Sequence, residues 1–290
     1  IEIAMCIASC IVFEYLYNKI AKKPNTIHDL SAVVTGLLLA MNLPALNMSA
    51  HPIAVFAMPI IGSLFSIVIA KMLFGGLGQN FINPALAGRA FLVASYPTLM
   101  TGSAFGPTSF MKGVDAATYA TPLAQIKEAG ALNTSFVDLL VGNCGGTIGE
   151  TCAIALILGG IYLIVKKVIS WRTPVVYIAT VLVLTYIFKL SGIEAASARQ
   201  PIQELFAGGL MLGAFFMATD YASTPVTPKG KIIMGLGCGI ITVLIRVFGG
   251  YPEGVSYSIL LMNLAAPLID RYTAPKKFGY VKPVKVKEVK

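Results

Sequence analysis

Apolar runs alternate along the chain with short clusters of charge, proline and glycine. The runs fall at about 1–18, 29–44, 52–71, 82–99, 149–165, 174–189, 204–218, 232–247 and 255–270. A helix that crosses hydrocarbon needs about 20 mainly apolar residues, fewer where neighbours shield it. The pattern therefore predicts an all-α, polytopic membrane protein with about nine transmembrane helices. The clearest run, Pro52 to Ala70, holds nineteen residues without a charge. Runs 29–44 and 82–99 are interrupted by Pro, Asn and Gly, and such breaks persist in a bilayer only where protein or a cavity receives them.

Charge orients these spans. Lys19, Lys22 and Lys23 follow the first run, Lys71 closes the third, Lys166, Lys167 and Arg172 follow the fifth, and Lys229 and Lys231 follow the seventh. A basic tail, 271–290, follows the ninth. With the runs crossing in turn, all of these fall on one side, which the positive-inside bias makes the cytoplasm. The other side receives His51, a loop at 98–150, Glu194, Arg199 and Glu253. In that loop Lys112 and Lys127 are outnumbered by Asp115, Glu128, Asp138 and Glu150. An odd count of spans with a cytoplasmic C-terminus starts the chain outside, so one further upstream helix, ten in all, is expected. The chain opens on Ile and shows no cleavable signal pattern. Residues 1–290 read as a single membrane domain.

Composition agrees. The chain is 56% hydrophobic and 12% charged, with a mean hydropathy of +0.78, against about 25% charged in soluble domains. That excludes a soluble enzyme, a disordered protein and a coiled coil. The net charge of +9 is topogenic rather than a nucleic-acid face, since seven of the 22 Lys and Arg lie in the last twenty residues. Cys6, Cys10, Cys144, Cys152 and Cys238 form no CxxC pair, so neither a metal site nor a disulfide framework is expected. Gly235-Leu-Gly-Cys-Gly-Ile lies inside an apolar run and not between a strand and a helix, so it reads as close helix packing and not as a dinucleotide loop.

The chain repeats itself. Lys71-Met-Leu-Phe74-Gly75-Gly76 returns as Arg246-Val-Phe248-Gly249-Gly250, each leading into a span with Asn and Pro: Asn83-Pro84 first, Asn263 to Pro267 second. Upstream, Gly36 to Asn42 corresponds loosely to Gly213 to Asp220. The first copy starts inside and the second outside, an inverted repeat of the kind that builds a midplane site from broken helices.

Within the spans the polar residues stand out, because intramembrane ionisable groups face a cavity or a partner. They are Arg89, Asp220, Asp29 and Arg246, with Asp29 equally readable as a helix cap. Asn80, Asn83, Asp220 and Thr224 are the candidate ligand-binding set at the broken helices. In the long loop lies Asp115-Ala-Ala-Thr118-Tyr119-Ala-Thr121-Pro122. By composition it is only a turn of small residues. It resembles, however, the flavinylation motif of membrane flavoproteins, an Asp, two residues, Ser or Thr, one residue, then Ala-Thr. Tyr119 departs from the Gly often found at its position.

Further stretches carry the same resemblance: Asp29 to Ala40, Gly75 to Phe91, Phe216 to Asp220, Thr224 to Gly230 and Phe248 to Ser258. Together, over about Asp29 to Gly279, they resemble the RnfD component of the Rnf complex, the ion-translocating ferredoxin:NAD oxidoreductase. More distantly they resemble the NqrB component of the sodium-pumping NADH:quinone reductase. The resemblance implies a urea-transporter-like fold and an electron-transfer subunit with no catalytic residues of its own. It implies FMN joined to Thr121 by an extracytoplasmic flavin transferase, with Asp115 and Thr118 as recognition positions, and a non-covalent riboflavin. It also implies the other Rnf subunits (RnfA, RnfB, RnfC, RnfE and RnfG) as partners, coupling to sodium or proton export, and a bacterial or archaeal cell membrane whose lipids surround the chain. No nucleic-acid partner is expected. A channel or secondary transporter without redox role, or a membrane anchor for other subunits, remains open on the residues alone.

Overall fold

The structure, a computed structural model, describes residues 1–46, 51–100, 121–129, 134–142, 144–192 and 200–275. Among these residues the architecture is all-helical, and the extended pairing is an isolated bridge between Pro44 and Thr147.

The first helix, α1 (Glu2–Ile20), explains why the packing is that of a membrane protein. Its buried residues are Glu2, Cys6, Cys10, Glu14 and Asn18, every fourth position. Val12, Leu16 and Ile20 are exposed. Helical spacing thus collects the polar groups on the inner face and turns the apolar face outward, the arrangement favoured where the surroundings are hydrocarbon. Cys6 and Cys10 are packing residues, buried on that inner face.

Helix α2 (Ser31–Met41) follows a tight turn. Asp29 is not its N-cap, which is Leu30, but stands one residue before it: the carboxylate accepts from the Ser31 amide at 2.8 Å and the Ser31 hydroxyl at 2.5 Å. Helix α3 (Pro52–Leu64) runs on as a π-helical stretch to Met72, and α4 (Pro84–Ser95) is followed by the short α5 (Pro97–Met100). After α6 (Pro122–Ala129) and α7 (Phe136–Val141) come α8 (Ala153–Val165) and α9 (Arg172–Leu190). Run 204–218 is not one helix. It divides into α10 (Pro201–Phe206) and α11 (Leu210–Leu212, extended by a π turn to Met217), with an extended Ala207 and a left-handed Gly208 between them. Helices α12 (Pro228–Phe248) and α13 (Val255–Thr273) follow. Run 149–165 likewise begins its helix only at Ala153, which leaves Glu150 in the preceding loop.

Among the described residues, four helices are long and apolar enough to cross a membrane: α1, α3 with its continuation to Met72, α9 and α12. Helices α2, α4 and α8 are apolar but shorter. The glycine-rich stretch of α12 serves close packing against α9. A Cβ on Gly235 would lie 2.7 Å from the Thr173 carbonyl oxygen, and one on Gly239 would lie 2.5 Å from Thr180 Cβ.

Lys71, which the charge pattern placed at a span end, is in fact buried, and Arg246, expected to face a cavity or a partner, is buried against one. Lys71 lies 2.7 Å from Glu14 Oε2 and 2.6 Å from Ser31 Oγ. Arg246 faces Glu204 at 3.9 Å and donates to the carbonyls of Glu204 and Ala207. A buried charge is tolerated only with such partners, and removing one of them costs about 3–5 kcal/mol.

Candidate functional site

Thr121 opens α6. Its hydroxyl accepts from the Ala124 amide at 3.3 Å, and its carbonyl accepts from the Gln125 amide at 2.9 Å. Pro122 takes the first helical position, where its missing N–H removes no bond. Leu123 is buried and packs over Gly208, where a Cβ would come within 2.6 Å of the Leu123 side chain. Lys127 reaches the Gly249 carbonyl at 2.5 Å. The helix that begins at Thr121 therefore sits on the break between α10 and α11 and on the Phe248-Gly-Gly corner.

Beside Thr121 lies a cavity whose walls include Arg89, Glu150, Tyr251, Glu253, Ser256 and Tyr257. Arg89, on α4, organises its floor. One terminal nitrogen donates to Asn42 Oδ1 at 2.8 Å, while the other meets both Glu150 Oε1, at 3.2 Å, and Glu253 Oε2. Glu253 Oε1 also accepts from the Gly209 amide at 2.8 Å, and Glu150 Oε2 is 3.5 Å from the Thr147 amide. Burial disfavours ionisation of Glu253, but Arg89 and the Gly209 amide outweigh it and hold this carboxyl below the ordinary range. Burial, and then the Glu253 charge, push Glu150 the other way. Burial also raises the Cys144 thiol to about 11.

The upper walls are aromatic. The rings of Tyr251 and Tyr257 lie 5.4 Å apart at 30°. Ser256 is 7% exposed, and its buried hydroxyl has no hydrogen-bond partner among the described residues. An orphaned hydroxyl on a cavity wall is what a polar ligand would satisfy.

From Asn42 the polar contacts continue inward to the junction of the broken helices. Asn42 donates to the Leu38 carbonyl at 2.6 Å and contacts Met217 Sδ at 3.7 Å. Asn83 caps α4, its Oδ1 accepting from Ala85 and Leu86, and its Nδ2 donates to the Met217 carbonyl at 3.4 Å. Asn263, its amide oriented to satisfy both sides, accepts from the Asn83 amide at 3.0 Å and donates to the Ile259 and Ser223 carbonyls at 3.2 Å each.

The predicted binding set is thus only partly assembled. Asn83 reaches the Asp220 loop through Asn263 and Ser223. Asn80 is buried and turned onto the Ile82 carbonyl. Asp220 accepts from the Ala222 amide and the Ser223 hydroxyl, and its own carbonyl accepts from Thr224. Thr224 lines a second cavity with Thr219, Tyr221 and Lys231. Asp115 and Thr118 lie outside the described residues. Sequence reasoning missed Glu150, Glu253, Tyr251, Tyr257 and Ser256 as site residues. Arg89 was the one available signal, a cation inside an apolar run, but its carboxylates stand 61 and 164 positions away.

A helical membrane protein with interrupted helices meeting inside it, and a charged cavity next to them, is the class these features define. The NQR2, RnfD, RnfE family pattern matches residues 1–279, and the chain belongs to that family. It is 50% identical over 284 residues to the D component of the Na+-translocating ferredoxin:NAD+ oxidoreductase complex of Acetobacterium woodii, covering 97% of this chain and 82% of the relative. It is 48% identical to the proton-translocating counterpart from Clostridium ljungdahlii, over 94% and 82%. With the D component of the ion-translocating oxidoreductase complex of Actinobacillus succinogenes the identity is 34%, over 97% and 86%.

Proposed function

We propose that this chain is the D component of a redox-driven, ion-translocating ferredoxin:NAD+ oxidoreductase and that it carries FMN on Thr121. The single observation behind the second half is the position of Thr121, in the lining of a cavity and at the N-terminus of α6. A phosphodiester on its oxygen would sit at the positive dipole end of that helix, beside the Ala124 amide that bonds the Thr121 hydroxyl. The residues present fit a flavin: Tyr251 and Tyr257 offer apolar faces, Ser256 an unpartnered hydroxyl, and Arg89 a fixed positive charge. The flavin would supply one- and two-electron chemistry. The chain's own part is to tether it, orient it and set the charge around it.

The reading includes a second, non-covalent flavin, riboflavin, near the broken helices. Asn80 and Asn83 are engaged within the chain, and the cavity at Thr219, Thr224 and Lys231 offers space for it. An inverted repeat and about nine crossings belong to the same reading. Their support is the Asn83–Asn263 contact, the buried cations Lys71 and Arg246, and the π turns that end both α3 and α11. Partner subunits, an extracytoplasmic flavin transferase, a cytoplasmic C-terminus and a prokaryotic cell membrane complete it. A plain channel or transporter gives Thr121 no role.

The test is in-gel flavin fluorescence of the denatured chain, co-expressed with a flavin transferase. We expect a fluorescent band in the wild type and none for Thr121→Ala. Absence of fluorescence in the wild type, with the transferase active on another substrate, would overturn the covalent assignment.

A further inference from the structure

The floor of the cavity beside Thr121 brings two carboxylates to one cation. Both Glu150 and Glu253 approach the same nitrogen of Arg89. A Cβ placed on Gly209 would lie 2.5 Å from Glu253 Oε1 and 2.7 Å from Glu150 Oε1, so the two acids converge on one point of the α10–α11 break. If both were ionised, a buried site would carry an uncompensated negative charge, and burying such a charge is strongly unfavourable. Like charges this close do not both ionise.

Geometry decides which acid is neutral. Glu253 has the closer contact with Arg89, a second bond from the Gly209 amide at 2.8 Å, and a more exposed side chain, 17% against 7%. Glu150 has the longer 3.2 Å contact with Arg89, a 3.5 Å amide and a hydrogen bond with Glu253 itself. Among the described residues, the other groups in reach do not offset a second charge. Cys144 is neutral, Tyr257 faces Arg89, and Arg246 acts on Glu253 from α12, where Glu204 already compensates it. The unpartnered Ser256 hydroxyl on the same wall marks the place of a polar occupant.

We propose that Glu150 and Glu253 form a proton-binding site, holding one proton at neutral pH chiefly on Glu150, and that this proton is thermodynamically linked to the charge on the occupant of the cavity. The second half rests on the reading of the cavity as the flavin site; the first does not. The link is electrostatic: an electron added to the occupant raises the proton affinity of the pair, and by reciprocity proton binding favours the reduced occupant. The electron comes from a one-electron donor, and the proton comes from solvent in the pH range where the oxidised site has already lost it; only in that range does proton uptake offset the added charge.

The experiment is infrared spectroscopy of the purified complex, following the C=O stretch of a protonated carboxylic acid against pH. In Thr121→Ala complex, which lacks the covalent FMN, we expect a titrating band that is lost in Glu150→Gln. It is lost also in Glu253→Gln, where Glu150 becomes the only counter-charge to Arg89 and ionises. Either variant suffices if the other fails to assemble. No such band, or a band that persists in either variant that assembles, overturns the proton site, whatever Thr121 fluorescence shows. In flavin-loaded complex reduced with dithionite, the band should titrate at higher pH than in the oxidised complex, and the shift should be absent from Thr121→Ala. An unshifted titration overturns the link.

Discussion

Each half of the molecule buries one cation at the end of a long helix, Lys71 after α3 and Arg246 near the end of α12, yet the two are satisfied in different ways. Lys71 bonds to Glu14 of α1 and to Ser31, the first residue of an unbroken α2. Thr26 and Asn18 extend that network, Thr26 donating to Glu14 and Asn18 to Thr26. Arg246 instead faces Glu204 and donates to two backbone carbonyls, those of Glu204 and Ala207, where a helix has been opened. A lysine offers a compact point charge, whereas guanidinium holds five donors in a fixed fork. Only the fork can answer carbonyls that a helix break leaves without partners. The lesson is that similar positions in the two halves hold different architecture: a closed polar knot in one, a supported opening in the other. The opening is what lets Gly209, Glu253 and Leu123 shape the cavity.

The largest effect expected from breaking that comparison is at Arg246. Arg246→Ala strands Glu204 and the opened carbonyls, at a cost of about 3–5 kcal/mol, and should abolish assembly of the complex on native gels. Arg246→Lys restores the charge without the fork. We expect it to assemble with a lowered melting temperature and a weaker flavin band, an outcome that a purely electrostatic role would not produce.

In the other half, Lys71→Ala or Glu14→Ala should each destabilise by a similar amount, since either leaves its partner buried and unpaired. Replacing both at once with Met and Leu should recover most of the loss, because an apolar pair of similar volume carries no desolvation penalty. Thermal melting of the three variants checks this. A double variant as unstable as the worse single would show that the pair does more than neutralise itself.

Gly208→Ala comes next. Its φ of +70° costs about 1–2 kcal/mol for a residue with Cβ, and the new methyl meets Leu123. Loss of flavin attachment exceeding the loss of stability would show that the break seats α6. The smallest effect belongs to the asparagine junction, in Asn83→Ala. Asn83→Ala removes the α4 cap, about 1 kcal/mol, whereas Asn83→Asp keeps the accepting oxygen but loses the donor to the Met217 carbonyl and buries a carboxylate, so it should melt below Asn83→Ala. Riboflavin content should be unchanged in Asn83→Leu if the second flavin lies at Thr224, and lost if Asn83 holds it.

Much of the helical layout could be read from the residues. The run Pro52 to Ala70 became one continuous rod to Met72, and Gly235 and Gly239 packed against α9 as small residues do. What eluded the reading was continuity. Run 204–218 has no internal proline, and its opening depends on Gly208 adopting a left-handed backbone under Leu123 while Arg246 binds the freed carbonyls. Those partners lie far away in the chain, and no local signal announces them. The same holds for the site. Thr121 stood out as a candidate because its motif is contiguous, whereas the cavity beside it is assembled from α4, the loop before α8 and the corner before α13.

By itself the sequence determined which segments are apolar, where cations stand inside them, and which family the chain belongs to, because these depend on residue type and short spacing. Tertiary structure alone decided that Arg89 would be shared between Glu150 and Glu253, that Asn83 and Asn263 would meet, and that the helix between α10 and α11 would open. Hydrophobic periodicity specifies which face of a helix is buried, but pairing between buried polar groups is specified only when the helices are brought together. The free energy of such pairs depends on distance, burial and the number of donors available.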